Sequence, residues 1–350
     1  MVTILNVGNE FFYGQASLLE TDAASLMNRF FVLVLPCLLS VAALGQRNTL
    51  QLIRVSEDND GLNTRREISD RQYTNGTQLE ILYTKQTRPR FLSALLIPIA
   101  SQANNLYGIG LTHLMYTPTD IKRKTIVRGD RPYTAVLYVS HSLTSADPVR
   151  KQRLTTELAL GVLGKAALGE ELQEWVHRQL GFDKPQGWPY QLPTDVVVNY
   201  QIQYEKQIVQ LSPYLQLLGL ASANAGTLSN NINAGLLFRA GLFSNYFINY
   251  ERPTADKPPG YRKFQLFLYG RPVVRLLLDD STLQGGIFTR NQADYVLTSG
   301  LMNHSFVQLE CGAVLTRNRL GVSFSERWIS AQFAGAPTQQ IGNITLFVGI

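Results

Sequence analysis

Side-chain alternation, sustained over long stretches, constrains this chain more than any other feature. "VVNYQIQYEKQI" places Val198, Tyr200, Ile202 and Tyr204 on one face and Asn199, Gln201, Gln203 and Glu205 on the other. "SFVQLECGAVL" sets Val307, Leu309, Cys311, Ala313 and Leu315 against Gln308, Glu310 and Gly312. "TQLEILY" and "LGVSFS" repeat the pattern. A period of two is the signature of a strand. Soluble strands average about 5–6 residues. A tilted strand crossing a bilayer takes roughly 9–11, and several of these runs approach that length.

The N-terminal region supplies a reason for strands of that length. "MNRFFVLVLPCLLSVAALGQ" begins at Met27 with one cation, Arg29, continues as an apolar core from Phe30 to Leu39 and ends in small residues. That order describes a secretory signal peptide over 27–45, cut after Gly45. Residues 1–26 then lie upstream of the true start, and 46–350 form one barrel domain. The apolar core is too short to span a bilayer, which takes about 20 residues. Cys37 falls in the signal, so Cys311 stands alone and no disulfide within the chain is expected.

Composition narrows the choice. The chain is 45% hydrophobic but only 17% charged, with 16 Tyr and 16 Phe. A net charge of +6 comes without a Lys/Arg block of the kind that tracks phosphates, so nucleic acid is not expected as a partner. In lipid every backbone polar group must be paired, and only a helix or a closed barrel achieves that. The expected fold is an all-β transmembrane antiparallel barrel. Twelve strands are expected near residues 49–57, 73–85, 103–117, 131–144, 152–164, 194–208, 211–224, 229–244, 262–278, 296–316, 319–328 and 342–350.

One segment breaks the alternation. In "LGEELQEWVHRQLGFDKPQGWP", from Leu168, the residues Leu172, Trp175, Val176 and Leu180 recur at helical spacing, and Gly181 suits a C-cap. A short helix in an outer loop is expected. His177 lies on it with Gln173 four residues earlier, hence on one face. A histidine there suits a general base. It also suits a surface side chain beside Trp175. "EDND", Glu57 to Asp60, is rich in oxygen and fits a hard cation or a solvated strand end. In "SDRQYTNG", Asn75-Gly76 reads as the tip of a turn.

"NDG…SDRQYTNG", "YTPTDI", "DRPYTAVLY", "LGEELQEWVH" and "PQGWPYQL" together resemble, in order, the motifs of the outer-membrane lipid A 3′-O-deacylases (LpxR-type). The resemblance covers roughly residues 50–205; beyond them the match is to generic barrel strands. It implies a twelve-stranded barrel with an active site between the wall and a loop helix. It also implies calcium-dependent hydrolysis of acyl esters of lipid A in the outer membrane of a Gram-negative bacterium.

Carried over by position, His177 is the base and Gln173 the helix residue one turn before it. Asn59 and Asp60 are the pair at the end of the first strand, with Asp60 and Asn59 toward Ca2+ and Asp183 or Asp195 as further ligands. Thr74 is the motif hydroxyl, and Lys122 or Lys124 the active-site lysine. Lys124 and Arg128 suit the phosphates of lipid A or lipopolysaccharide. Two departures concern substrate fit. Asp195 stands where a glutamate is expected, and Thr134 where a small residue is. No protein partner is expected. A phospholipase A-like esterase and a catalytically silent, porin-like barrel are the competing readings.

Overall fold

The computed structural model describes residues 48–64, 71–85, 91–248, 260 and 262–350. The expected signal peptide and residues 1–26 lie outside them, as do Ser69 and Asp70 of the quoted motif.

Twelve strands form one closed antiparallel barrel, each paired with its neighbours in sequence and β1 with β12. The first six are β1 (Asn48–Asn59), β2 (Gln72–Lys85), β3 (Asn104–Thr117), β4 (Thr134–Asp147), β5 (Gln152–Leu163) and β6 (Asp195–Ser212). The others are β7 (Leu215–Gly226), β8 (Ser229–Leu242), β9 (Phe264–Asp280), β10 (Ser305–Arg317), β11 (Leu320–Ile329) and β12 (Gln339–Gly349). Closure pairs Val55 with Leu346 and Asn59 with Gly342.

Burial in this barrel is inverted relative to a soluble protein. Leu268 and Leu278 are 62% and 69% exposed, whereas Glu205 and Glu310 are 3% and 5% exposed. The apolar positions of the alternation face outward, as a lipid-facing wall requires. The polar positions fill the interior with paired charges. Arg271 bonds Glu310 at 2.6 Å, Arg327 reaches the same carboxylate at 3.3 Å, and Tyr269 donates to it at 2.9 Å. Arg153 bonds Glu205 at 2.6 Å and Arg239 bonds Gln216 at 2.8 Å. Buried charges demand such partners.

Several strand boundaries differ from the expected ones. The run expected at 296–316 begins only at Ser305. Before it, Leu297 and Met302 join a buried cluster with Leu283, Phe306 and Phe333, so their apolarity serves a loop cluster and not the wall. The strand expected from 131 starts at Thr134, because Pro132 has no N–H to pair. The strand expected at 211–224 is displaced: Leu211 and Ser212 end β6, and β7 starts at Leu215 after a turn. Asn75-Gly76 is not a turn tip but part of β2. Its register shifts between Tyr73 and Asn75, a bulge centred on Thr74. A Cβ on Gly76 would lie 1.7 Å from the Tyr73 hydroxyl, which crosses there to bond Asp58 at 3.0 Å.

At the end of the barrel away from the chain termini, Arg131 draws several segments together. This side chain, 2% exposed, donates to Gln72 at 3.2 Å, Thr282 at 3.1 Å and Gln332 at 2.8 Å. It also lies over the Tyr116 ring, 4.6 Å from its centroid. The first residue of β2 and the β3–β4, β9–β10 and β11–β12 connections meet at one guanidinium.

Candidate active site

The β5–β6 connection carries helix α1 (Gly169–Leu180), ended by Gly181 at φ 72° with its N–H on the His177 carbonyl. The left-handed conformation explains the glycine. The helix lies where its spacing predicts, but its buried face is another one. Gly169, Gln173 and His177 are buried, whereas Trp175 and Leu180 are 40% and 61% exposed. Gly169 is what lets the helix approach the barrel. A Cβ there would come within 2.6 Å of both Ala135 and the Trp188 ring. Trp188, Ala167, Ala135, Met115 and Tyr133 form the cluster that seats the helix on β3 and β4.

That wall is the outer one. His113 pairs across β3–β4 with Leu137, and Leu111 with Val139. Val139 pairs in turn with Leu160, and both are exposed. Helix α1 is therefore seated on the outward face of the barrel and not in its lumen.

His177 is held in one orientation. Its Nδ1 lies 2.6 Å from the backbone oxygen of Asp183, which can only accept, so Nδ1 carries the proton. Nε2 of the neutral ring is then the basic nitrogen. Phe182 packs edge-on against the ring at 5.7 Å. Gln173, one turn earlier, accepts from the Trp188 indole at 2.8 Å. Its Nε2 is buried without a hydrogen-bond partner among the described residues. Trp188 lies in the quoted "PQGWPYQL", and its position in that motif gave no hint that its indole would hold Gln173.

Of the two candidate lysines, Lys122 is the one bonded to the loop that follows α1. Its ammonium pairs with the Asp183 carboxylate at 2.6 Å, while Lys124 is exposed and makes no described bond. The segments are also stitched by the backbone, Gln186 N to Ile121 O at 2.8 Å. The Lys122 ammonium holds the Asp183 carboxyl below its ordinary range, and Asp183 raises the lysine in turn. Both side chains are well exposed, so the pair orients the loop more than it stabilises the fold. Arg128 is exposed in the same β3–β4 connection as Lys124.

Asn59, Asp60 and Thr74 occupy the adjoining rim of β1 and β2. Asn59 caps the short helical turn Asp60–Leu62, its Oδ1 accepting from Gly61 N at 2.7 Å. Asp60 is 5% exposed and accepts from Arg71 N at 3.0 Å. Thr74, on the bulge, shares a hydrogen bond of 2.8 Å with Thr117. Described bonds thus tie His177 and Lys122 to Asp183 and Gln173 to Trp188, and separately anchor Asn59, Asp60 and Thr74 at the rim of β1 and β2.

Asp195 is committed elsewhere. One carboxylate oxygen accepts from Phe288 N, Thr289 N and the Thr289 hydroxyl at 2.8–3.0 Å, and the other from Val196 N at 2.7 Å. It braces the β9–β10 connection and is not placed to serve as a metal ligand.

Among the described residues no three His, Cys, Asp or Glu side chains gather into a metal cage. A hard cation needs oxygen of any kind, however. Asp60 and Asn63 line one cavity with Gln340, and the Asn63 Oδ1 and Gln340 Oε1 atoms are buried without partners. One carboxylate beside two unpartnered carbonyl oxygens is a donor set that fits calcium.

The family model of outer membrane protein LpxR matches residues 30–350. Among solved structures, LpxR from Salmonella typhimurium aligns with 85% of this chain and 100% of its own length. The TM-score is 0.68 at 17% identity, a likeness of fold. The β domain of the Bordetella autotransporter BrkA covers 87% of this chain and 99% of its own at 10% identity, with a TM-score of only 0.40. No curated protein matches the chain. With the family model spanning the whole barrel, the chain belongs to the family of outer membrane protein LpxR.

Proposed function

We propose that this barrel is a calcium-dependent lipid A deacylase of the outer membrane, which hydrolyses ester-linked acyl chains of the 3′-acyloxyacyl type. The observation that carries the reading is the His177–Asp183 hydrogen bond of 2.6 Å, which leaves a basic Nε2 on a buried ring. Family membership and the seat of α1 on the outward face of the wall support it.

His177 takes a proton from water, and the resulting hydroxide attacks the ester carbonyl. The tetrahedral oxyanion collapses, the sugar oxygen leaves, and the proton held on His177 passes to it. Lys122, on the β3–β4 connection, supplies the donor for developing negative charge, and Gln173, on α1, serves substrate binding. Asp60 and Asn59, with Asn63 beside them, would hold the calcium. When bound, it supplies positive charge for the oxyanion. Lys124 and Arg128 meet the phosphates of the lipid headgroup.

The test is mass spectrometry of lipid A from cells expressing the barrel, with calcium or chelator, beside His177→Ala. Loss of an acyloxyacyl mass that requires both calcium and His177 is the expected result. Unchanged lipid A from a folded, outer-membrane barrel overturns the reading, and phospholipid turnover in its place would favour a phospholipase.

A further inference from the structure

His113 has no role in the chemistry above, yet its surroundings are not those of a packing residue. It stands on β3, on the outward face, cross-strand from Thr77 on β2 and Leu137 on β4. Its neighbours two residues down the strands on that face, Leu79 and Leu111, are apolar, as lipid contact demands. A polar side chain on such a wall is costly and marks a functional position by default.

The ring is fixed. Nε2 lies 2.9 Å from the Ala167 carbonyl, so Nε2 carries the proton and Nδ1 presents a lone pair. Nδ1 is buried and has no hydrogen-bond partner among the described residues. An unpaired buried acceptor costs free energy that a ligand recovers.

A second unpaired group borders the same cluster. Gln173 holds Trp188 through its oxygen and leaves Nε2, a donor, without a partner. Ala167, which fixes His113, and Trp188, which fixes Gln173, pack together beneath α1. The junction of wall and helix thus offers one acceptor and one donor, both desolvated, beside the base. The polar surface continues on the same side of His113. Thr77 donates to Glu57 at 2.7 Å, and Asn75 donates to the other oxygen of that carboxylate.

We infer that the junction of β3 with α1 is a binding site for an amide group of the lipid substrate, with His113 Nδ1 accepting its N–H and Gln173 Nε2 donating to its carbonyl. An amide carries both the N–H that His113 accepts and the carbonyl that Gln173 donates to, whereas an ester offers no N–H to His113. The chemical class is therefore an N-acylated amino-sugar lipid, entering laterally from the outer leaflet. His113 is a binding residue and makes no bond to the scissile ester. The inference rests on the lipid A reading only for the nature of the ligand.

The experiment measures equilibrium binding of purified lipid A to the full barrel in detergent micelles by intrinsic tryptophan fluorescence. A His177→Ala background prevents turnover. His113→Leu removes the acceptor and is expected to weaken lipid A binding roughly tenfold, the weight of one desolvated hydrogen bond. His113→Gln, which can donate to Ala167 and still accept, is expected to stay within about threefold of the parent on the same scale. Phosphatidylethanolamine, which has no amide, is expected to bind all three alike.

Heat-modifiable gel mobility reports folding. Should His113→Leu fail to fold, Gln173→Glu keeps an oxygen for the Trp188 indole, removes the donor and carries the same expectation. Parental lipid A affinity in the folded His113→Leu or Gln173→Glu barrel overturns the inference, as does an equal loss for phosphatidylethanolamine. Absence of deacylation with the His113-dependent affinity intact would overturn the hydrolase reading alone.

Discussion

His177 donates its Nδ1–H to the main-chain oxygen of Asp183 at 2.6 Å, so the proposed base is oriented by a carbonyl. A carbonyl fixes the tautomer without adding negative charge. Replacing His177 by Ala is expected to lower deacylation about 10²–10⁴-fold, the usual weight of a general base. The barrel should keep its heat-modifiable mobility. Lipid A mass spectra beside that gel assay check both outcomes.

The carbonyl origin of this bond makes a further distinction. Asp183→Asn keeps the main-chain oxygen and loses only the pair with Lys122. Its activity at pH 7 is expected to fall severalfold at most. The Asp183 carboxyl is depressed by Lys122, so the pair is complete above the ordinary carboxylate range of about 3.9. It is lost as pH falls through the depressed value. The Asp183-dependent part of the activity should therefore be flat across neutral pH and vanish only in strong acid. A pH–rate profile of the wild type against Asp183→Asn reads this directly.

Trp188→Phe keeps the ring that seats α1 but removes the indole N–H from Gln173. Gln173 is then left with both its carbonyl and its amide group unpartnered in a buried site. The expected local cost is about 1–3 kcal/mol. Hydrogen exchange should show α1 opening more readily, with β3 and β4 unchanged, and activity should fall with it.

Arg131→Ala deserts acceptors on Gln72, Thr282 and Gln332 together. A loss of about 1–3 kcal/mol for each deserted buried acceptor is expected. The strands themselves do not depend on it. Protease cleavage in the β3–β4, β9–β10 and β11–β12 connections should rise, and planar-bilayer recordings should show a conductance the wild type lacks.

Asp60→Ala is expected to reduce activity by orders of magnitude, with chelation of the wild type giving the same loss and calcium failing to restore the variant. Isothermal calcium titration checks it independently of turnover. Wild-type calcium affinity in Asp60→Ala would remove that residue from the site.

The wall of this protein was legible in its sequence because lipid leaves the alternation simple: Val307, Leu309 and Leu315 face out, and Glu310 faces in. The helix was legible as a helix but not by its buried side. Leu172, Trp175, Val176 and Leu180 form the periodic apolar set that a soluble core would bury. The membrane setting instead buries Gln173 and His177 against the barrel and leaves Trp175 and Leu180 outside. The motif residues were located by resemblance, yet their holders were not. Asp183 acts through its main chain and Thr117 through a bulge, and neither leaves a pattern in side-chain types. His113 leaves no signal in the sequence, since one histidine among apolar residues resembles packing until its ring nitrogens are assigned.

The pairing of β1 with β12 bears on how this protein comes into being. Ile350 N bonds Gln51 O at 3.0 Å, and Val55 stands opposite Leu346, so the seam joins the two ends of the chain. Until β12 has left the ribosome and crossed to the outer membrane, the first strand has no second neighbour. Any truncated product carries two raw edges, which invite pairing with other chains. Loop closure across nearly the whole polypeptide makes the final step slow and non-local. Assembly is therefore all-or-none, and a nonsense change within the last strand should send the whole chain to periplasmic proteolysis and not yield a shortened barrel.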